Sequence, residues 1–115
     1  MIKEVKKDWG KEEWFENDTL CLKKLYVNKD WQCSLHYHKR KDEIFYIEKG
    51  EFLIEIQNEN EEIKKCRLPE GHYVRVIPHM LHRFTGLKNE NVIVEFSTHH
   101  EDSDSYRAVN SQYVG

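Results

Sequence analysis

Ser34 to Gly50 reads SLHYHKRKDEIFYIEKG, and this stretch decides how the 115-residue chain is understood. His36 and His38 stand two apart, so in an extended segment both imidazoles leave one face of a strand. Glu43 comes five residues after His38, beyond the charged stretch Lys39 to Asp42, which suits a turn. The run EIFYIEK then reads as a second strand. Paired as a hairpin, the two strands bring the Glu43 carboxylate back over the histidines. Three such side chains can hold a divalent ion, but they lack a fourth donor. His82, in YVRVIPHMLHRF, is the natural candidate, because it opens another strand-like run after the turn marked by Pro78.

Outward from there, strand-sized runs follow one another with short breaks. They cover Glu12 to Glu16, Leu20 to Val27, Gln32 to His38, Glu43 to Glu48 and Glu51 to Gln57. Ile63 to Leu68, Tyr73 to Ile77, His82 to Thr85 and Asn91 to Thr98 follow the acidic turn NENEE. No window carries a helical apolar stripe, so an antiparallel sandwich or barrel is expected. Parity sets the faces. Ser34 shares the face of His36 and His38, with Cys33, Leu35 and Tyr37 opposite. Glu43, Phe45 and Ile47 share another face, as do Ile93, Glu95 and Ser97. Val92, Val94 and Phe96 then cover a second sheet, which turns Glu95 toward the cavity. Leu20, Leu22, Leu25 and Val27 break parity at Lys23-Lys24, which predicts a bulge there.

A chain of this length makes one domain, residues 1–115, with a modest core. Charged residues make up 34% at a net charge of −3, so no basic excess points to nucleic acid. MIKEVKKDWGKEEW has no apolar core of a signal peptide or membrane span. Cys21, Cys33 and Cys66 are odd in number and form no CxxC pair, which suits reduced thiols in a cytoplasmic protein.

His36, His38, Glu43 and Gly50 fit the pattern H-x-H-x(3,4)-E-x(6)-G, with Asp30 where a leading Gly is usual. Gly71 and His82 keep the spacing of G-x(5)-P-x-G-x(2)-H-x(3)-N, with Pro78 displaced by one, His79 at the Gly and Gly86 at the Asn. In these two motifs the chain resembles the cupin superfamily. The resemblance implies an all-β, single-domain cupin, a double-stranded β-helix or jelly-roll barrel. It implies one divalent metal ion (Mn, Zn, Fe, Co or Ni) on His36, His38, Glu43 and His82. An HxH pair alone also describes exposed histidines on an edge strand; the companions in register favour the ion. His72 and His79 fall outside the matched positions and read as loop residues, and THHEDSD (Thr98 to Asp104) reads as a solvated acidic loop rather than the metal site its residues could also form.

WGKEEW, CLKKLYV, SLHYH and VEFST with Tyr106-Arg107 further resemble the cupin sugar isomerases, namely the type II phosphomannose isomerase domain and D-lyxose isomerases. The HxHxxKxE form of His36, His38, Lys41 and Glu43 is nearer the latter, since the former commonly carries Gln at the position of His36. The resemblance implies a metal-dependent sugar or sugar-phosphate aldose–ketose isomerase acting through an enediol on a small carbohydrate, and a homodimer, as small cupins often are. Glu95 is the candidate proton shuttle. Lys41 is a candidate to anchor a hydroxyl or assist proton transfer, or else a solvated turn lysine. Arg75 and Arg83 are candidates for an anionic group, and Trp9, Trp14 and Trp31 for the core or rim. The same ligand set also fits an Fe(II) cupin dioxygenase, and a non-catalytic, metal-dependent carbohydrate-binding cupin.

Overall fold

The structure, a computed structural model, describes residues 1–115. Thirteen strands and one short 3-10 turn, Asp102–Asp104, make up the chain. The strands are β1 (Lys3–Lys7), β2 (Gly10–Asn17), β3 (Leu20–Val27), β4 (Trp31–Gln32), β5 (Leu35–Tyr37), β6 (Glu43–Lys49) and β7 (Glu51–Gln57). After them come β8 (Ile63–Pro69), β9 (Tyr73–Val76), β10 (His82–Gly86), β11 (Val92–Thr98), β12 (Tyr106–Val109) and β13 (Gln112–Tyr113). One sheet runs β1-β2-β3-β11-β6-β9, and the other runs β12-β5-β10-β4-β13 with β7 and β8 added beside β10. Every strand pairing is antiparallel.

Period-2 alternation explains which faces meet. On β6, Glu43, Phe45 and Ile47 are buried while Ile44 and Tyr46 are exposed. On β11, Ile93, Glu95 and Ser97 are buried, so their expected common face is the inner one. The reason expected for it is corrected, since Phe96 on the opposite face is 49% exposed and covers no sheet. The core between the sheets includes Leu25, Phe45, Ile47, Phe52, Ile54, Phe84 and Ile93, with Trp9 edge-on to Phe84.

Three further expectations are corrected. β5 and β6 do not form a hairpin, because β5 pairs with β10 and β12 whereas β6 pairs with β11 and β9. Glu43 therefore faces the histidines across the sandwich, from the opposite sheet. The run Gln32 to His38 is split into β4 and β5, and Cys33 at the break turns inward with Ser34 to line one cavity. Lastly, β3 alternates without a bulge: Cys21, Lys23, Leu25 and Val27 are the buried set. Its register shift lies in the partner strand β2, between Trp14 and Glu16. Parity looked broken because the inward position is held by a lysine.

Turns are held by backbone geometry as much as by side chains. Gly50, between β6 and β7, has φ +76°, and an added Cβ would strike the Glu90 carbonyl. Asp30 and His79, which stand where the motifs usually carry glycine, keep the left-handed conformation at φ 65° and 70°. Asp and His are among the few non-glycine residues enriched in that region.

Candidate metal centre

His82 on β10 lies directly opposite His36 on β5. Directly opposed residues project to the same face, so both rings enter the interior together. His38 follows at the end of β5, and the donor nitrogens of His36, His38 and His82 lie within 4.8 Å of one another. Glu43 arrives from the other sheet, its Oε2 3.2 Å from His82 Nε2 and 3.6 Å from His38 Nε2. The four residues singled out as ligands are thus brought together.

Backbone carbonyls fix the ring orientation. Nδ1 of His36 donates to the Ser34 carbonyl at 2.8 Å, that of His38 to Asp104 at 3.0 Å, and that of His82 to Met80 at 2.8 Å. A carbonyl can only accept, so each Nδ1 carries hydrogen and each Nε2 keeps a lone pair for a cation. Burial, then the neighbouring His82, pushes the His36 pKa down to about 3, which keeps the ring neutral. Burial likewise lowers that of His38.

The chemistry of the donor set fits a cation. Glu43 Oε2 and His82 Nε2 are the two buried side-chain polar atoms without a hydrogen-bond partner. Two desolvated electron-rich atoms 3.2 Å apart are costly unless something positive lies between them. Three imidazoles and a carboxylate suit a first-row divalent ion. Cys33 lines the same cavity, where burial pushes its thiol up to about 12.

A charged group adjoins the cluster. Lys41 is buried, with Nζ 2.6 Å from Glu95 Oε2 and 3.4 Å from Glu43 Oε1. Burial opposes its charge, yet the two carboxylates raise its pKa above the usual lysine value. Burial would raise both carboxyls in turn, but the Lys41 ammonium leads the effects that hold Glu43 and Glu95 below the usual range. Ser97 Oγ also donates to Glu95 at 3.1 Å. Glu95 and Lys41 face one cavity of about 1000 Å³ together with His36, His38 and Glu43. A solvated turn lysine is therefore not what Lys41 is.

The acidic segment after β11 is exposed at His99, Glu101, Asp102 and Ser103, as expected of a solvated loop, but not at Asp104. Asp104 is buried and accepts from the backbone N–H groups of Lys39, Arg40 and Lys41 at 3.0, 3.2 and 3.2 Å. Burial alone would raise this carboxyl, but the three donors keep it below its usual value. Asp104 thereby pins the turn that aims Lys41 inward, while its carbonyl orients His38. His100 accepts from Lys41 Nζ at 2.9 Å and donates through Nε2 to Asp102 at 2.8 Å. The density of titratable groups at a strand end was the available signal.

The two arginines expected near an anion do not reach the cavity. Arg75 pairs with Asp42 at 2.6 Å and Arg83 with Glu55 at 3.0 Å, and neither lines it. Trp9 and Trp14 are buried, whereas Trp31 is half-buried against Tyr113. His72 and His79 lie in connections between strands and outside the cluster, although the His79 backbone N–H donates to the His38 carbonyl at 2.6 Å.

The two-sheet sandwich has the cupin-type jelly-roll fold. Similarity to solved structures agrees on that fold. KdgF from Halomonas sp. superposes with a TM-score of 0.71 at 19% identity, over 81% of each chain. CapF of Staphylococcus aureus, a capsular polysaccharide assembling protein, gives 0.82 at 18% identity over 93% of this chain and 31% of that one. A Bacillus subtilis oxalate decarboxylase variant gives 0.82 at 14% identity over 92% of this chain and 30% of that one. The chain thus spans about a third of the length of those two. No protein-family model and no curated protein matches the sequence.

Proposed function

We propose that this cupin is a metal-dependent isomerase of a small sugar or sugar phosphate, moving a proton between adjacent carbons by way of an enediol. The observation that carries this reading is the buried Lys41–Glu95 pair, which meets the histidine cluster through Glu43. His36, His38, His82 and Glu43 would hold the divalent ion, which supplies positive charge for the substrate's carbonyl oxygen. The likeness to a capsular polysaccharide assembling protein supports a carbohydrate as the substrate class.

The chain's own groups divide the remaining work. Glu95 is buried, lines the cavity and is held in its ionised form, the form that accepts a proton from carbon. Lys41 stays an ammonium and donates toward oxygen as negative charge grows there. His100 and the exposed Asp102 continue the hydrogen-bonded chain from Lys41 to solvent, giving the abstracted proton a route to exchange.

Turnover in D₂O with a panel of aldoses and ketoses, with and without phosphate, tests this. Isomer formation with solvent deuterium at the carbon beside the carbonyl is expected. Glu95→Gln should keep the ion and the substrate but slow the reaction by roughly 10²–10⁴-fold. Oxygen uptake coupled to substrate loss, with no isomer, would make the protein an oxygenase instead. Saturable sugar binding without any turnover would make it a binding protein.

A further inference from the structure

The chain has five arginines, and four are neutralised by a carboxylate. Arg40 meets Glu101 at 2.7 Å, Arg67 meets Glu51 at 2.9 Å, Arg75 meets Asp42 at 2.6 Å and Arg83 meets Glu55 at 3.0 Å. Arg107 is the exception, with no carboxylate oxygen within 4.0 Å. Its place is equally distinctive. On β12 it lies directly opposite His36 of β5, so it projects to the same face and lines the same cavity.

A second cation lining the cavity repeats the feature. Lys6 of β1 lines the cavity and has no carboxylate partner either. The nearby carboxylates are engaged elsewhere: Asp8 accepts from Ser111 Oγ at 3.3 Å, and Asp102 accepts from His100 at 2.8 Å. Ser105 and Asn110 add neutral hydrogen-bonding groups to the lining. Two exposed cations without carboxylate partners thus line the cavity, along with the buried His38 and Lys41–Glu95 pair.

We propose that Arg107, assisted by Lys6, is the subsite for an anionic group of the carbohydrate, either a phosphate ester or a sugar carboxylate. The anionic end meets Arg107, and the carbonyl end reaches the histidine cluster. This rests on the reading of the cavity as a carbohydrate site. A guanidinium suits the role because its planar fork meets two oxygens of either anion at once. Arg107 is also exposed and on an edge strand, so its side chain contributes little to holding the fold.

Titration calorimetry with a hexose 6-phosphate, a hexuronate and the matching neutral hexose tests the assignment. At least one anionic sugar should bind about 10- to 100-fold more tightly than the neutral one, as expected for charge-assisted hydrogen bonds. The tighter of the two identifies phosphate or carboxylate as the group read. Arg107→Gln should abolish the advantage and leave neutral-sugar affinity unchanged, Arg107→Lys should restore part of it, and circular dichroism should show both variants folded. Equal affinity for all three sugars, a preference that survives Arg107→Gln, or no binding at millimolar concentration overturns the subsite. The two readings fail separately. Isomerisation of an anionic sugar with a KM indifferent to Arg107→Gln sinks the subsite alone. A lost anion preference without isomer formation sinks the isomerase alone.

Discussion

The inward faces of β3, β6 and β11 have two ends of opposite character. Toward one end β6 offers Phe45 and Ile47, β11 offers Ile93, and β3 offers Leu25 and Val27. Toward the other the same strands offer Glu43, Glu95 and Lys23. Burial does not separate them: Ile47 and Ile93 are 0% exposed, and Lys23, Glu43 and Glu95 only 1%, 2% and 4%. The difference lies in how each end becomes comfortable away from water. At the apolar end shape complementarity suffices. At the charged end every group needs a partner, and the partners run out at Glu43 Oε2 and His82 Nε2. The deficit is where a cation belongs.

The most severe way to break that contrast is to take a donor from the charged end. His38→Ala should abolish both retention of a divalent ion and turnover, read by metal analysis after dialysis and by the isomerase assay. Ile47→Ala, at the apolar end, should cost about 2–5 kcal/mol in urea unfolding yet leave the ion held. Loss of the ion from both variants alike would erase the distinction between the ends.

Lys41→Met probes the internal neutralisation. It leaves Glu43 and Glu95 buried without their ammonium, so stability should fall by about 3–5 kcal/mol, measured by urea unfolding of the ion-free protein. An unchanged midpoint would mean that the two carboxylates are satisfied by something other than Lys41.

Acid should act on the charged end through His100. Burial, then the Lys41 ammonium, lowers its pKa to about 4, whereas in the unfolded chain it titrates near the ordinary 6.5. Between those values the unfolded state binds the extra proton. The contribution is thus intact above about 6.5 and is lost as pH falls toward 4. His100→Gln should flatten the fall of stability between pH 6 and 5 by about 1 kcal/mol per pH unit. Identical slopes would return His100 to the status of a surface histidine.

Much of the apolar end was legible from alternation, and so were the inward turns of Glu43 and Glu95, because each shares parity with large apolar neighbours. Lys23 and Lys41 were not legible, since a lysine in a strand or a turn normally marks solvent and only its partners make it an inner residue. Those partners come from β2, β6 and β11, which no local pattern brings together. The same limit hid the two-sheet placement of His38 and Glu43, because a short charged turn reads identically whether it closes a hairpin or crosses between sheets. Asp104 escaped notice because its role lies in the backbone of Lys39 to Lys41, 63 to 65 residues away.

The smallest effect is expected where the same substitution is made at the other buried lysine. Lys23 Nζ sits 3.6 Å from Glu12 Oε1 and 3.9 Å from the centre of the Trp14 ring. Burial lowers its pKa, so its charge is costly to keep. Removing it does not strand Glu12, which still accepts from Trp14 Nε1 at 2.8 Å and has Lys7 at 4.0 Å. Methionine has nearly the same length and fits against Trp14 without a charge to desolvate. Lys23→Met should therefore shift stability by no more than about 1 kcal/mol, against the larger loss at Lys41. The two variants unfolded in urea side by side decide the point. A loss at Lys23 as large as that at Lys41 would show that Glu95, opposite Lys23 in the β3–β11 register, leans on both ammonium groups rather than on Lys41.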